Sequence, residues 1–216
     1  FNAGLTFDAE DFESEAEKVD NYEIGTRYFG DKLQATAAVF FSESDNGTTF
    51  NDDLQIQKFS EDIWGIETTA DYQLSDRLAV GGSASWQSGE REGANGNEVE
   101  LDGTRIAPLK LTSYLEQQTT GQWRNRLQIM HVGSRDEFPD GGSPGNSGIF
   151  GQGEVESYTL VDFVSRLKAG PGSLTFAVKN LLNEDYFPAI NQAFNTPTAY
   201  AKGNGRRLSL GYEMVW

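Results

Sequence analysis

The sequence predicts an all-β chain, an antiparallel transmembrane β-barrel fragment of about nine meander strands. Three observations carry that prediction. Runs of about ten residues alternate apolar with polar side chains, the period of a strand whose two faces meet different surroundings. The connectors alternate too: short turns near Gly30, Asp76, Thr120 and Pro171 are separated by long polar loops. Finally, with 37% hydrophobic residues and a mean hydropathy of -0.53, no window offers the roughly 20 apolar residues of a membrane helix, whereas a barrel strand needs only about 9 to 11 alternating ones.

Composition narrows the function classes. The net charge of -16 argues against a nucleic-acid partner, since a phosphate backbone repels such a surface. The chain has no cysteine, which removes disulfides, thiolate metal sites and a thiol nucleophile together. Glycine at 24 residues and aromatics at 12%, without long segments of helical period, fit an all-β chain. The opening Phe1-Asn2-Ala3 lacks a Met, a basic stretch and an apolar stretch, so the expectation is a chain that begins within a domain.

The elements follow in order. Residues Phe1 to Lys18 carry Asp8, Glu10, Asp11, Glu13, Glu15 and Glu17 and read as a solvated loop, because no Asp-x-Asp-x-Asp-Gly pattern positions the oxygens for calcium. Tyr22, Ile24, Thr26 and Tyr28 form one face of a first strand ending at Gly30-Asp31. Leu33, Ala35, Ala37, Val39 and Phe41 form a second, and Asp45 to Asp53 reads as a polar loop. Trp64, Ile66, Thr68, Ala70, Tyr72 and Leu74 make the third, and Ser75-Asp76-Arg77 turns into Leu78, Val80, Gly82, Ala84 and Trp86.

Ser88 to Thr104 is rich in Gly, Asn and Glu and reads as a long loop. Leu109 to Gln118 is a strand whose apolar face the pattern leaves open. Trp123 to Ser134 alternates Leu127, Ile129 and His131 with Arg124, Arg126 and Gln128. Arg135 to Glu156 is too glycine-rich for a strand. Tyr158 to Lys168 resumes strand character, Ala169 to Gly172 turns, and Leu174, Phe176 and Val178 alternate before a long connector, Asn180 to Gly205. The last strand places Leu208, Leu210, Tyr212, Met214 and Trp216 on one face.

Successive short turns lie about 45 to 50 residues apart, room for two barrel strands and one long loop. A β-sandwich has no reason to sort its connectors by length onto one end. A barrel does, with short periplasmic turns and long extracellular loops. An odd number of strands is expected of a chain that starts in a long loop and ends at the periplasmic side.

Four stretches carry a resemblance to a known family: EKVDNYEIGTRY at Glu17 to Tyr28, WGIETTADYQLSDRLAVGGSASW at Trp64 to Trp86, VKNLLNEDYFP at Val178 to Pro188, and KGNGRRLSLGYEMVW at Lys202 to Trp216. They resemble the C-terminal part of the β-barrel of TonB-dependent outer-membrane receptors, within which the likeness leans to ferric-siderophore receptors of the hydroxamate or citrate-hydroxamate type. The family ends more often in Phe, so Trp216 departs from it. The resemblance implies a barrel of about 22 strands, of which residues 1–216 form the C-terminal portion, with the plug domain, the energy-coupling box and the earlier strands outside this chain. It also implies a bacterial outer-membrane location. The implied partners are a ferric siderophore or similar ligand, outer-membrane lipid, the TonB complex through the N-terminal part, and the barrel assembly machinery through the closing strand.

The sequence shows no catalytic motif. It has no His-Glu-x-x-His, no Gly-x-Gly-x-x-Gly and no phosphate loop, and its single histidine, His131, shares the alternation of Leu127 and Ile129, a wall position. With acids at 33 of 216 residues, carboxylate pairs arise by chance and do not indicate a glycosidase. Nothing calls for a cofactor or a resident metal. Binding residues are expected in the long loops, where aromatic and cationic groups suit a large anionic chelate: Phe50, Arg135, Phe138, Phe150, Tyr186, Phe187, Phe194 and Tyr200. Tyr186, Phe187 and Tyr200 suit an aromatic girdle or loop packing equally well. Trp64, Tyr72, Leu208, Leu210, Tyr212, Met214 and Trp216 are expected on the lipid face or its interfacial girdles. Glu23, Arg27, Glu67, Asp71, Arg207 and Glu213 are expected to face the lumen.

Two other readings remain open on residues alone: a porin-like or structural barrel without a plug, and a secreted β-sandwich that binds carbohydrate.

Overall fold

The structure, a computed structural model, describes residues 18–50, 56–92, 97–136, 153–193 and 201–214. The main strands are β1 (Lys18–Phe29), β2 (Leu33–Phe50), β3 (Ile56–Ser75), β4 (Leu78–Glu92), β6 (Lys110–Thr120), β7 (Trp123–Val132), β8 (Tyr158–Ala169), β9 (Gly172–Lys179) and β10 (Arg207–Met214), with a short β5 (Glu98–Glu100) and one helix, α1 (Ala189–Ala193). The main strands pair antiparallel in chain order, and β5 hangs off β4. Among the described residues β1 and β10 each pair on one side only, so the sheet is open.

Register turns the separate alternations into two continuous faces. Tyr72, Val80, Leu115, Leu127, Phe163, Val178 and Leu208 follow one another across β3 to β10 as direct cross-strand partners. Tyr22, Phe41 and Trp64 form a second such row, and Ile24, Val39, Ile66 and Trp86 a third. Because the side-chain period is two, a slip of one residue anywhere would carry polar groups into these rows. The face of β6 that the pattern leaves open is fixed the same way: Leu111 and Leu115 join the apolar face, while Lys110, Tyr114 and Glu116 join the polar one.

The apolar face has no layer packed on it. Ile24 is 78% exposed and Leu210 71%, whereas the fully covered side chains Leu101, Ile106 and Val155 all lie in the long connectors. A sandwich would bury one face of every strand, so the carbohydrate-binding sandwich is set aside. An exposed apolar surface of this extent marks contact with another apolar phase or partner.

Short connections fall at one end: the turn from Phe29 to Leu33, then Asp76-Arg77, Gly121-Gln122 and Gly170-Pro171. Gly170 takes a φ of 61°, a left-handed conformation that costs an L side chain energy, and with Pro171 makes the two-residue turn between β8 and β9.

At the other end the strands outrun the sequence reading. The polar loop expected at Asp45 to Asp53 is largely strand, with β2 reaching Phe50 and pairing it to Ile56 after a register shift between Ser44 and Gly47. A backbone ladder needs no apolar face once it stands clear of the apolar phase. The loop expected at Ser88 to Thr104 likewise contains the end of β4 and β5, paired through Arg91 and Val99. The connector expected at Asn180 to Gly205 contains α1. The acidic opening lies outside the described residues, apart from Lys18, which begins β1.

Candidate functional site

The described parts of three long connectors fold against one another at the loop end and form a cap. Arg135 and Val155 make a two-residue bridge, Leu101 donates its N–H to Gly89 O at 2.8 Å, and Gly153 donates to Ala193 O at 3.1 Å. Leu101, Ile106, Val155 and Ala193 are the apolar centre, each at most 1% exposed. Segments far apart in sequence are thus fixed relative to each other by a few buried methyl groups and backbone hydrogen bonds.

Polar side chains complete the cap. Arg135 is 8% exposed; its Nη2 donates to Leu101 O at 2.8 Å and lies 3.9 Å from the Glu100 carboxylate. Arg105 pairs with Glu61, itself 4% exposed. Gln192, on α1, accepts from Glu156 N–H at 2.9 Å and donates to Phe187 O at 2.8 Å.

The base of the last connector is organised by Asn180. Its backbone N–H donates to Asp162 Oδ1 at 2.8 Å. Its side-chain amide donates to Glu184 O at 2.8 Å and Asn204 O at 3.0 Å, and its carbonyl oxygen accepts from Glu184 N–H at 2.8 Å. Asn180 and Asn183 have φ of 51° and 57°, the left-handed region that Asn tolerates better than other side-chain-bearing residues. The segment NLLNEDY is therefore a clasp that closes both ends of the connector.

Beneath the cap, on the polar face, a hollow of about 270 Å³ is lined by Ser85, Gln87, Lys110, Met130, Val132 and Tyr158 together with Ala107, Pro108 and Ala189. Ser85, Lys110, Val132 and Tyr158 form one cross-strand row. The Tyr158 ring lies 4.6 Å from that of Tyr186, and the Lys202 ammonium pairs with Asp185 at 2.7 Å and sits 5.8 Å from the Phe187 ring centre. Aromatic faces, an ammonium and an amide together can hold an oxygen-rich, anionic ligand.

Of the residues expected to bind, Tyr186 and Phe187 lie near this hollow. Arg135 is tied into the cap, and Phe50 ends β2 at the loop end. Phe138, Phe150, Phe194 and Tyr200 lie outside the described residues. Sequence reasoning did not single out Ser85, Gln87, Lys110 or Tyr158; only the register across β4, β6, β7 and β8 brings them together.

On the apolar face Trp64, Tyr72, Leu208, Leu210, Tyr212 and Met214 all stand in rows with other apolar-face residues, and Trp216 lies outside the described residues. Trp64 meets Trp86 edge to face at 4.7 Å, Tyr22 stacks on Phe41 at 6.5 Å, and at the turn end Tyr212 donates its hydroxyl to Ala169 O at 2.8 Å. His131, on the same face, bonds through Nδ1 to Thr159 Oγ1 at 2.9 Å.

Comparison with known proteins places this architecture. The family described as TonB dependent receptor-like, beta-barrel, matches residues 3–181. The chain is 26% identical to the ferric aerobactin receptors of Escherichia coli and Klebsiella pneumoniae over 95% of its own length, and it spans 28% of theirs. Among solved structures it resembles the FrpB iron transporter from Neisseria meningitidis, with a TM-score of 0.74 at 16% identity, covering 93% of this chain and 31% of that one. It also resembles the unliganded ferric citrate transporter FecA, with a TM-score of 0.70 at 23% identity and coverage of 90% and 30%. These structural likenesses speak for the fold. With the family match spanning most of its residues, the chain belongs to the TonB-dependent receptor-like β-barrel family, whose members are β-barrels of the bacterial outer membrane.

Proposed function

We propose that this chain is the C-terminal portion of the barrel wall of a receptor for energy-coupled uptake of a ferric siderophore. The observation that carries the reading is the 26% identity to two ferric aerobactin receptors along 95% of the chain. A porin-like barrel without a plug is not favoured, because these relatives are receptors. A plug, an energy-coupling segment that meets the TonB complex, and the remaining strands belong to the rest of such a receptor, and the chain itself carries out no catalysis.

In this reading the apolar face meets lipid and the polar face lines the barrel. Trp64, Tyr72, Leu208, Leu210, Tyr212, Met214 and Trp216 then belong to the lipid stripe and its girdles, and the closing strand is the part that the assembly machinery reads. Trp64 and Tyr72 are separated by roughly 27 Å along β3, comparable with an apolar band of about 25 Å. The chelate is held at the loop end. Lys110, Gln87 and Tyr158 approach its oxygens from the wall and Tyr186 and Phe187 from the last connector, while Phe50, Phe138, Phe150, Phe194 and Tyr200 are further loop candidates for contact with it.

The test is uptake of radioiron by a receptor-deficient Gram-negative strain expressing the full-length protein. Saturable accumulation from ferric aerobactin or a related hydroxamate, abolished by an uncoupler, is the expected result. Accumulation no greater than in cells carrying an empty vector, for every hydroxamate and citrate-type chelate offered, would overturn it.

A further inference from the structure

Gln192 of α1 is 5% exposed, and a buried amide must find partners for two hydrogens and an oxygen. It finds all of them in backbone. Its Nε2 donates to Phe187 O at 2.8 Å and to Glu156 O at 3.3 Å, and its Oε1 accepts from Glu156 N–H at 2.9 Å. Glu156 thus meets this side chain as it would meet a neighbouring strand, through both of its backbone groups. The cover comes from residues of the chain itself, so barrel strands outside it can only deepen the burial.

The two segments joined in this way carry the aromatic rim of the hollow. Tyr158 stands two residues after Glu156 and begins β8, and Phe187 follows Tyr186, whose ring lies 4.6 Å from that of Tyr158. From the other side Tyr186 O accepts from Gly203 N–H at 2.8 Å, and the Tyr186 ring packs over Gly203, where a Cβ would collide with it. Gly203 therefore fixes Tyr186 to the return limb of its own connector. Gln192 ties the neighbouring Phe187 to the lead into the wall strand. It does not line the hollow itself.

We propose that Gln192 is a positioning residue for the chelate: by holding Phe187 and Tyr186 against Tyr158, it sets the rim with which the hollow grips an oxygen-rich, anionic complex. The inference rests on the reading that this hollow holds the ferric chelate. A rim assembled in advance loses less freedom on binding than one the ligand must order. Removing the amide withdraws the donor from Phe187 O and breaks both links to Glu156 at once, so the aromatic pair is released from the wall.

The experiment titrates the purified full-length receptor with ferric aerobactin at pH 5 and pH 8, comparing each variant with the unaltered protein at the same pH. The neighbouring Glu154, Glu156, Asp185 and Lys202 are common to both, so their own titration cancels. Gln192→Met, similar in length but without these bonds, should bind about tenfold more weakly at both pH values. Gln192→Glu should behave differently. A buried carboxyl beside two carbonyl oxygens ionises only above its usual range; protonated, it can still donate to Phe187 O, and ionised it repels that oxygen. Its affinity should lie within about twofold of the unaltered receptor at pH 5 and fall about tenfold below it at pH 8, reversibly in one sample. Hydrogen exchange of peptides spanning residues 154–158, measured without ligand, should quicken in Gln192→Met while β6 and β7 stay unchanged. Unaltered affinity in Gln192→Met, a Gln192→Glu loss indifferent to pH, or unchanged exchange at residues 154–158 would overturn the proposal. If the unaltered receptor bound no ferric aerobactin, the uptake reading would fail by itself, and the exchange measurement would still decide for or against Gln192.

Discussion

Tyr114 of β6 donates its hydroxyl hydrogen to the carboxylate of Asp71 on β3, reaching across β4. The bond is possible because the β4 residue between them, a direct partner of both, is Gly81. A Cβ built at Gly81 would collide with the Asp71 carboxylate and with the Tyr114 ring. Arg126, from β7, lies over that ring and reaches Glu116, so a single glycine permits a polar chain over four strands.

Gly81→Val should therefore cost about 1 to 3 kcal/mol, through overpacking and loss of this bond. Gly121→Val is the control, since nothing lies within 4 Å of a Cβ built there. Reversible urea unfolding of the full-length receptor in lipid vesicles is the measurement, and equal midpoints for the two variants would contradict the account.

The last strand offers a contrast of faces between neighbouring residues. Leu210→Arg near mid-membrane should cost about 2 to 4 kcal/mol, while Ser209→Arg, on the polar face, should change stability by less than about 1 kcal/mol. Folding equilibria in vesicles read both, and a cost at Ser209 as large as that at Leu210 would refute the assignment.

At the clasp, the hydrogen bonds of Asn180 and its φ of 51° can be separated. Asn180→Gly removes the side-chain bonds but accepts the backbone, whereas Asn180→Ala removes the bonds and adds strain of about 1 kcal/mol. Limited proteolysis of the connector between β9 and β10 should accelerate in both, and faster in Asn180→Ala. The reverse order would remove backbone strain from the explanation.

If the hollow under the cap holds the chelate, Lys110→Ala and Tyr158→Ala should each weaken its binding by roughly tenfold, about 1.4 kcal/mol. Arg124→Ala, at the other end of the wall, should leave binding unchanged. Titration of the purified receptor with ferric aerobactin checks this, and unaltered affinity in both hollow variants would move the site elsewhere.

The strands and short turns were legible in the sequence because their signal is local: Ile24, Ile66 or Leu210 reveals its face through neighbours two residues away. The cap was not, because Arg135 meets Val155, and Gly153 meets Ala193, through contacts that no period announces. Lys110 and Tyr158 fall in one row only once register is known across three strands. The loop-end extensions of β2 and β3 escaped for a different reason. Outside the apolar phase a strand has no face to keep apolar, so the alternation disappears while the backbone ladder continues.

The central claim is that the exposed apolar face meets lipid and the opposite face meets water. The chain has no cysteine of its own, so thiol-specific spin labels can be placed at Leu208→Cys and, one residue on, at Ser209→Cys in the vesicle-reconstituted full-length receptor, with any cysteines elsewhere replaced. The decisive measurement is the accessibility of each label to oxygen, which concentrates in lipid, and to a water-soluble nickel chelate. The account predicts oxygen-dominated relaxation at residue 208 and nickel-dominated relaxation or protein-shielded immobility at residue 209. Nickel-dominated relaxation at 208, or the two labels behaving alike, would contradict it.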